Sequence, residues 1–175
     1  MSNQWMAQVL ALNMSILLLS ATAPDGAAQM VSYAAVGTTN DAEADKLERR
    51  AQELFDQPPR YAEAGRMYER AAGLRRRGDS RMVDALFSAS RLFYHARLHG
   101  ESVEILKRAA DEALASGDVY RAAESLIDAA WVLAAIDRKG EAIPLMARAE
   151  LLTTSPLFRE QERRHLRVRL GLEER

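Results

Sequence analysis

The sequence predicts an all-α domain from Asp41 onward: a stack of antiparallel helix pairs, about three repeats long, closed by a carboxy-terminal helix. Three observations carry this. Ala, Leu, Arg and Glu dominate and β-branched residues are few, a composition that favours helix over strand. Apolar positions recur three and four residues apart, the period of a helix with one buried face. The strings YAEAGRMYERAA, GESVEILKRAA and GEAIPLMARAE also repeat one another, each with an acidic residue, a small residue, a bulky residue four later and Ala three after that. These positions are Glu63, Ala64, Tyr68 and Ala71; Glu101, Ser102, Leu106 and Ala109; and Glu141, Ala142, Met146 and Ala149, at steps of 38 and 40 residues. A fixed period near 40 built from helix, turn and helix means a solenoid, in which each pair hides its apolar face against the next and the ends need polar caps.

The elements follow in order. A first helix is expected over 41–56, after the Gly37-Thr38-Thr39-Asn40 cluster that ends an uncharged, aperiodic stretch, 29–40, read as a linker. A second, 60–76, holds the first string. Gly78-Asp79 closes it, with Gly as the left-handed residue and Asp as the cap of a third helix, 79–97. Gly100-Glu101 opens a fourth, 100–116; Gly117-Asp118 repeats the earlier turn and opens a fifth, 118–136. Gly140-Glu141 belongs to the turn before the sixth, 139–153, where Ala142, Leu145, Met146, Ala149 and Leu152 share a face. Pro144 fits there because a helix starting near Lys139 leaves its ring in or near the first turn. Ser155-Pro156 then supplies a cap and a first-turn proline for a last helix, 156–170.

Composition limits the function. The 175 residues, 48% apolar and 28% charged, can bury one sizeable core, which excludes a disordered chain and a multispanning membrane protein. The absence of cysteine removes disulfides, thiolate metal sites and a cysteine nucleophile. Asp25 is the only charged side chain before Asp41, and the basic residues beyond are all Arg except Lys46, Lys107 and Lys139. With a net charge of −1 the two signs are interspersed, so duplex DNA is not an expected partner. Residues 5–23 are apolar but interrupted by Gln8, Asn13 and Ser15, and small-x-small patterns end at Ala23, Ala28 and Ala34. That pattern describes a cleaved export signal, 1–28, better than a membrane span, although the leading MSNQ lacks the usual Lys or Arg. The alternatives are an uncleaved anchor over 5–23, the only route by which membrane contact is expected, and an extra helix packed on the domain.

These residues resemble the tetratricopeptide repeat family over about residues 45–154, and RYAEAGRMYERAA does so most closely. In the first helices the family's bulky, small and aromatic positions fall on Glu48, Gln52 and Phe55, on Leu86, Ser90 and Phe93, and on Leu126, Ala130 and Leu133. Units two and three fit; unit one departs at two positions. The family's closing proline is replaced by Arg76, Leu114 and Thr154, and the period is longer than its usual ~34 residues. The resemblance implies a right-handed α-solenoid whose first helices face a concave, ligand-binding side.

Candidate binding residues come from a surplus stripe. Beside the Leu86, Ser90 and Phe93 set, Phe87, Arg91 and Tyr94 form a second line at i, i+4 and i+7, with His95 next to it. Ile127 and Trp131 fall 40 residues after Phe87 and Arg91, which places them on the same inner wall, with Lys46, Arg49 and Glu53 in the first unit. Aromatic anchors beside Arg forks suit an extended or helical peptide, including one that carries a carboxylate. The competing reading is that Phe87, Ile127 and Trp131 bury against the next repeat or the linker.

Other motifs have simpler readings. His95 and His99 stand at a metal-chelating spacing, but two ligands do not make a site and His99 lies at a turn, so no metal is expected. Arg77-Gly78-Asp79 is turn chemistry, since the next repeat has Ser116-Gly117-Asp118 there. Arg75 to Arg77 complement a helix dipole, and the last helix carries Arg159, Arg163 and Arg167, with Arg164 and Arg169 nearby, as a solvated cap. Pairs such as Asp45 with Arg49 and Glu104 with Arg108 read as helix-surface ion pairs. No phosphate-cradling loop, Ser-centred elbow or oriented His is present, and no enzyme or cofactor is expected. The expected function is an exported, periplasmic or cell-surface adaptor that binds a protein segment. The alternative is an assembly subunit that self-associates, or docks on an envelope complex, through solenoid edges or the terminal helix.

Overall fold

A computed structural model of the chain describes residues 26–172, and their side chains from Thr39 on. The expected export signal and its anchor alternative fall almost wholly on residues 1–25, outside that range. Among the described residues no helix is long and apolar enough to cross a membrane. The chain divides into two units between Val36 and Gly37. Of the first only a helical stretch of backbone is described; the helical repeats all belong to the second.

Among the described residues the α-helices are α1 (Gly26–Glu53), α2 (Tyr61–Leu74), α3 (Ser80–His95), α4 (His99–Ala115), α5 (Val119–Ala135), α6 (Lys139–Thr153) and α7 (Glu160–Arg169), with one 3₁₀ turn at Pro58–Arg60. The fold is all-α, and from α2 to α6 each helix packs on the next in sequence, as a solenoid-like stack requires. The repeat positions build its core. Ala64, Ser102 and Ala142 are buried, as are Ala71, Ala109 and Ala149, because small side chains let neighbouring helices approach closely. Leu86, Ser90 and Phe93 are buried, and Leu126, Ala130 and Leu133 repeat that layer one unit on.

The first unit solves the same problem with other residues. Ala44, Leu47, Ala51 and Leu54 supply the buried face of α1. Gln52, at the family's small position, stays exposed and its Oε1 accepts a 3.0 Å hydrogen bond from the Tyr68 hydroxyl of α2.

Gly78 and Gly117 are left-handed as expected, with φ of 81° and 80°, but only Gly117 closes a helix; α2 already ends at the extended Arg75, three residues before Gly78. Asp79 and Asp118 each cap the next helix, their Oδ1 atoms accepting from Arg81 N at 2.9 Å and Arg121 N at 3.0 Å. The other turn class differs. Gly100 and Gly140 lie inside α4 and α6, and the left-handed residues are Arg97 (φ 64°) and Asp137 (φ 60°). There Leu98 N donates to Phe93 O and Arg138 N to Leu133 O, each at 2.8 Å, and Asp118 N donates to Ala113 O at the same distance beside Gly117. This six-to-one closure gives the helix-terminal carbonyls partners whichever residue occupies the left-handed position.

Two expectations are corrected. The first helix, expected over 41–56, spans Gly26–Glu53 and so takes in the stretch 29–40 read as a linker. Periodicity reports a packed face rather than helix itself, and no Pro interrupts the chain between Pro24 and Pro58. The last helix begins at Glu160 instead of 156. Ser155 Oγ accepts from Leu157 N at 3.3 Å to make a turn, and the helix start is satisfied at Arg159, whose N–H donates to Glu162 Oε2 at 2.9 Å. Helix α6 does start at Lys139, so Pro144 is in its second turn, where the bond to the Gly140 carbonyl is missing.

Candidate functional site

The second stripe of α3 lies beside α5 and makes a groove of about 340 Å³. Phe87, Ser90, Arg91, Tyr94 and His95 form one wall, and Asp128, Trp131, Val132 and Ala135 the other. Ser102 and Leu106 of α4 close the bottom. The wall exists because α3 carries one more apolar line than the core uses: Leu86, Ser90 and Phe93 face inward, and the residues one step around the helix face the groove. The floor is pinned by Ser102, whose hydroxyl donates to the Ser90 carbonyl at 2.9 Å, a buried bond that two small residues at a close helix crossing permit. Ser90 Oγ in turn donates to Phe87 O at 2.8 Å.

The aromatic residues stay accessible. Trp131 is 51% exposed and Tyr94 41%, while Phe87 is half-buried. The Arg121 guanidinium lies over the Phe87 ring at 5.5 Å and pairs with Asp84 at 2.7 Å. The Arg169 guanidinium lies 5.9 Å from the Trp131 ring centre. It pairs with Glu124 at 3.3 Å and hydrogen-bonds Asp128. Arg91 is exposed and has no hydrogen-bond or ion-pair partner among the described residues. Arg169 is shared between Glu124 and Asp128, and Arg91 adds an unpaired guanidinium to the walls beside apolar surface.

Phe87, Arg91, Tyr94, His95 and Trp131 are therefore brought together as the surplus stripe anticipated. Ile127 is not: it is fully buried with Leu126, Ala149, Phe158 and Leu166, because α7 covers that side of α5 and turns a predicted wall residue into core. Lys46, Arg49 and Glu53 are exposed on α1 and line none of this groove. Asp128 lines the groove and went unnoticed in the sequence, and Arg169, read there only as part of a solvated cap, lies beside its Trp131. Their signal was the i, i+4, i+7 line of Glu124, Asp128 and Trp131, which reads like any charged helix face until the partner from α7 is known.

Packing changes several other readings. Arg75 is no solvated complement to a dipole. It is the extended residue that ends α2, its side chain is only 1% exposed, and it holds Asp45 at 2.7 Å, Glu48 at 2.8 Å and Asp41 at 3.7 Å. Asp45 thus pairs with Arg75 and not Arg49, and Glu104 with Lys107 at 3.0 Å and not Arg108. In the last helix, Arg163 donates to the carbonyls of Thr153 and Ser155, both at 3.2 Å, so it closes the end of α6 instead of lying free in solvent. The Arg77-Gly78-Asp79 turn is the expected one. His95 ends α3 and His99 begins α4, and Tyr94 meets both rings, at 5.8 Å and 5.1 Å. Among the described residues no three of His, Asp and Glu gather to hold a metal.

Neither a protein family, a curated protein nor a solved structure matches the chain.

Proposed function

We propose that the domain is a tetratricopeptide-like interaction module, without catalysis of its own, that grips a protein segment in the groove between α3 and α5. The observation that carries this is Trp131, half exposed in the same groove as Phe87, Tyr94 and an unpaired Arg91. Trp, Tyr and Arg are the side chains that dominate binding energy at protein interfaces: the aromatics bury much area for few rotors and keep a polar end, and the guanidinium brings a planar fork of donors. The export proposal rests on the apolar run and small-residue patterns of the amino-terminal sequence. Converting Arg91 and Trp131 together to Ala should leave the helical circular dichroism unchanged and abolish capture of a partner from the native cell envelope. Equal recovery by wild type and variant would overturn the groove.

A second reading, assembly, is favoured by α6. Its buried side faces α5, yet Ile143 and Leu151 on the other side are 67% and 69% exposed, and Leu157 just beyond is 71% exposed. A helix apolar on both sides invites cover. Light scattering that gives a monomer at every concentration would count against self-association through this face.

A further inference from the structure

We propose that the groove contains a guanidinium site on α5, and that Arg169 fills it as an internal substitute for an arginine of the bound partner. This rests on the groove being a binding surface and names the chemistry it recognises.

Glu124, Asp128 and Trp131 stand at i, i+4 and i+7 and so form one line along α5. Together they offer what a guanidinium can use and an ammonium uses less well: two carboxylates for its planar fork and a flat aromatic face for its π surface. Arg169 engages all three, with one nitrogen 3.3 Å from Glu124, another hydrogen-bonded to Asp128, and its central carbon 5.9 Å from the Trp131 ring centre. The three charged side chains are partly shielded, at 21% exposure for Arg169, 25% for Glu124 and 36% for Asp128. Asp128 and Trp131 also line the groove, so a segment lying against Arg91 and Tyr94 reaches the site without any helix moving.

The occupant is dispensable to the helix that supplies it. Arg169 is the last residue of α7, which is seated by Phe158, by the fully buried Leu166 and by Arg163 on the carbonyls that end α6. Release of Arg169 therefore leaves α7 in place and bares the acidic pair and the indole face. An internal competitor lowers apparent affinity by the fraction of time the site is open. A charge-assisted, partly shielded contact of this kind leaves it open on the order of a tenth of the time, so removing the side chain should tighten binding about tenfold.

The test uses the full chain with Trp5→Phe, so that emission comes from Trp131, and N-acetyl-arginine amide as the probe, with N-acetyl-lysine amide beside it. Arg169→Ala and Arg169→Gln should both show saturable change of Trp131 emission, about tenfold tighter than wild type and tighter for the arginine probe. Adding Asp128→Asn should remove it. Absence of any gain in both Arg169 variants, or an equal gain for the lysine probe, would overturn the site. The groove reading fails separately. If envelope capture is lost on replacing Arg91 and Trp131 but does not rise in Arg169→Ala, the guanidinium site is wrong and the groove stands. If capture ignores both changes, the groove itself is wrong.

Discussion

Arg97 and Asp137 hold a left-handed backbone that costs a side-chain-bearing residue about 1 kcal/mol relative to glycine. Both are exposed, and no hydrogen bond from the Arg97 side chain offsets that cost among the described residues. Arg97→Gly should therefore stabilise the domain by about 1 kcal/mol, less the extra freedom of glycine in the unfolded chain, and urea unfolding checks it. A loss of stability would mean that the Arg97 side chain makes a contact of its own. The sequence announces the left-handed residue where it is Gly78 or Gly117 and conceals it where it is Arg97 or Asp137, because composition reports tolerance and the position is set by hydrogen bonding. Ile127 and Trp131 make the same point about the site. Both are large apolar residues on α5, and only the docking of α7 makes one core and leaves the other open.

The junction of α1, α2 and α3 is an electrostatic element. The hydrogen bond from Arg75 holds the Asp45 carboxyl below the usual carboxylate range, with the charges of Arg75, Arg81 and Arg49 adding to it against some desolvation. Burial pushes Asp79 up, but the hydrogen bonds from Arg81 more than reverse this and leave it lowered too. In the unfolded chain both titrate near their ordinary value of about 3.9, so below it the unfolded state binds more protons. Their contribution is complete above about pH 5 and is lost as pH falls through the lowered folded values, beneath about 4. Arg75→Met should cost about 2 kcal/mol at neutral pH, because Asp45 and Glu48 lose their short ion pairs and only the half-exposed Arg81, 3.7–3.8 Å from Asp41 and Asp45, remains as counter-charge. That deficit should shrink as pH falls through the lowered Asp45 value, where the pair with Arg75 is lost in the wild type too, and thermal melts of the two proteins across pH read it directly. A deficit independent of pH would mean that Arg75 acts by packing alone. No spacing rule reveals this junction, since Arg75 lies 27 residues from Glu48 and 30 from Asp45.

At the scale of the molecule, the period of about 40 residues made the stack legible, because a repeat that cannot bury its own face dictates what its neighbour does. The unevenness of its two ends was not legible. α1 carries its apolar face on Ala44, Leu47, Ala51 and Leu54 and puts a polar link to α2 at the repeat's small position, and α7 starts late and reaches both α5 and α6. Stability in such a stack is held between neighbours, so damage should stay local. Leu166→Ala, which empties a fully buried position, should cost about 2–4 kcal/mol. Hydrogen exchange should then show lost protection in α5 to α7, with α2 and α3 unchanged; loss spread evenly over the domain would mean one cooperative unit.

The joints at 96–98 and 136–138 trace the same backbone path with unlike side chains, Ala-Arg-Leu in one and Ile-Asp-Arg in the other. A hinge pin defined by its geometry and not by its material can be swapped for its twin. The tips of the hairpins are accordingly where this protein can take on foreign loops, tags or labels without disturbing the bearing surfaces between its helices.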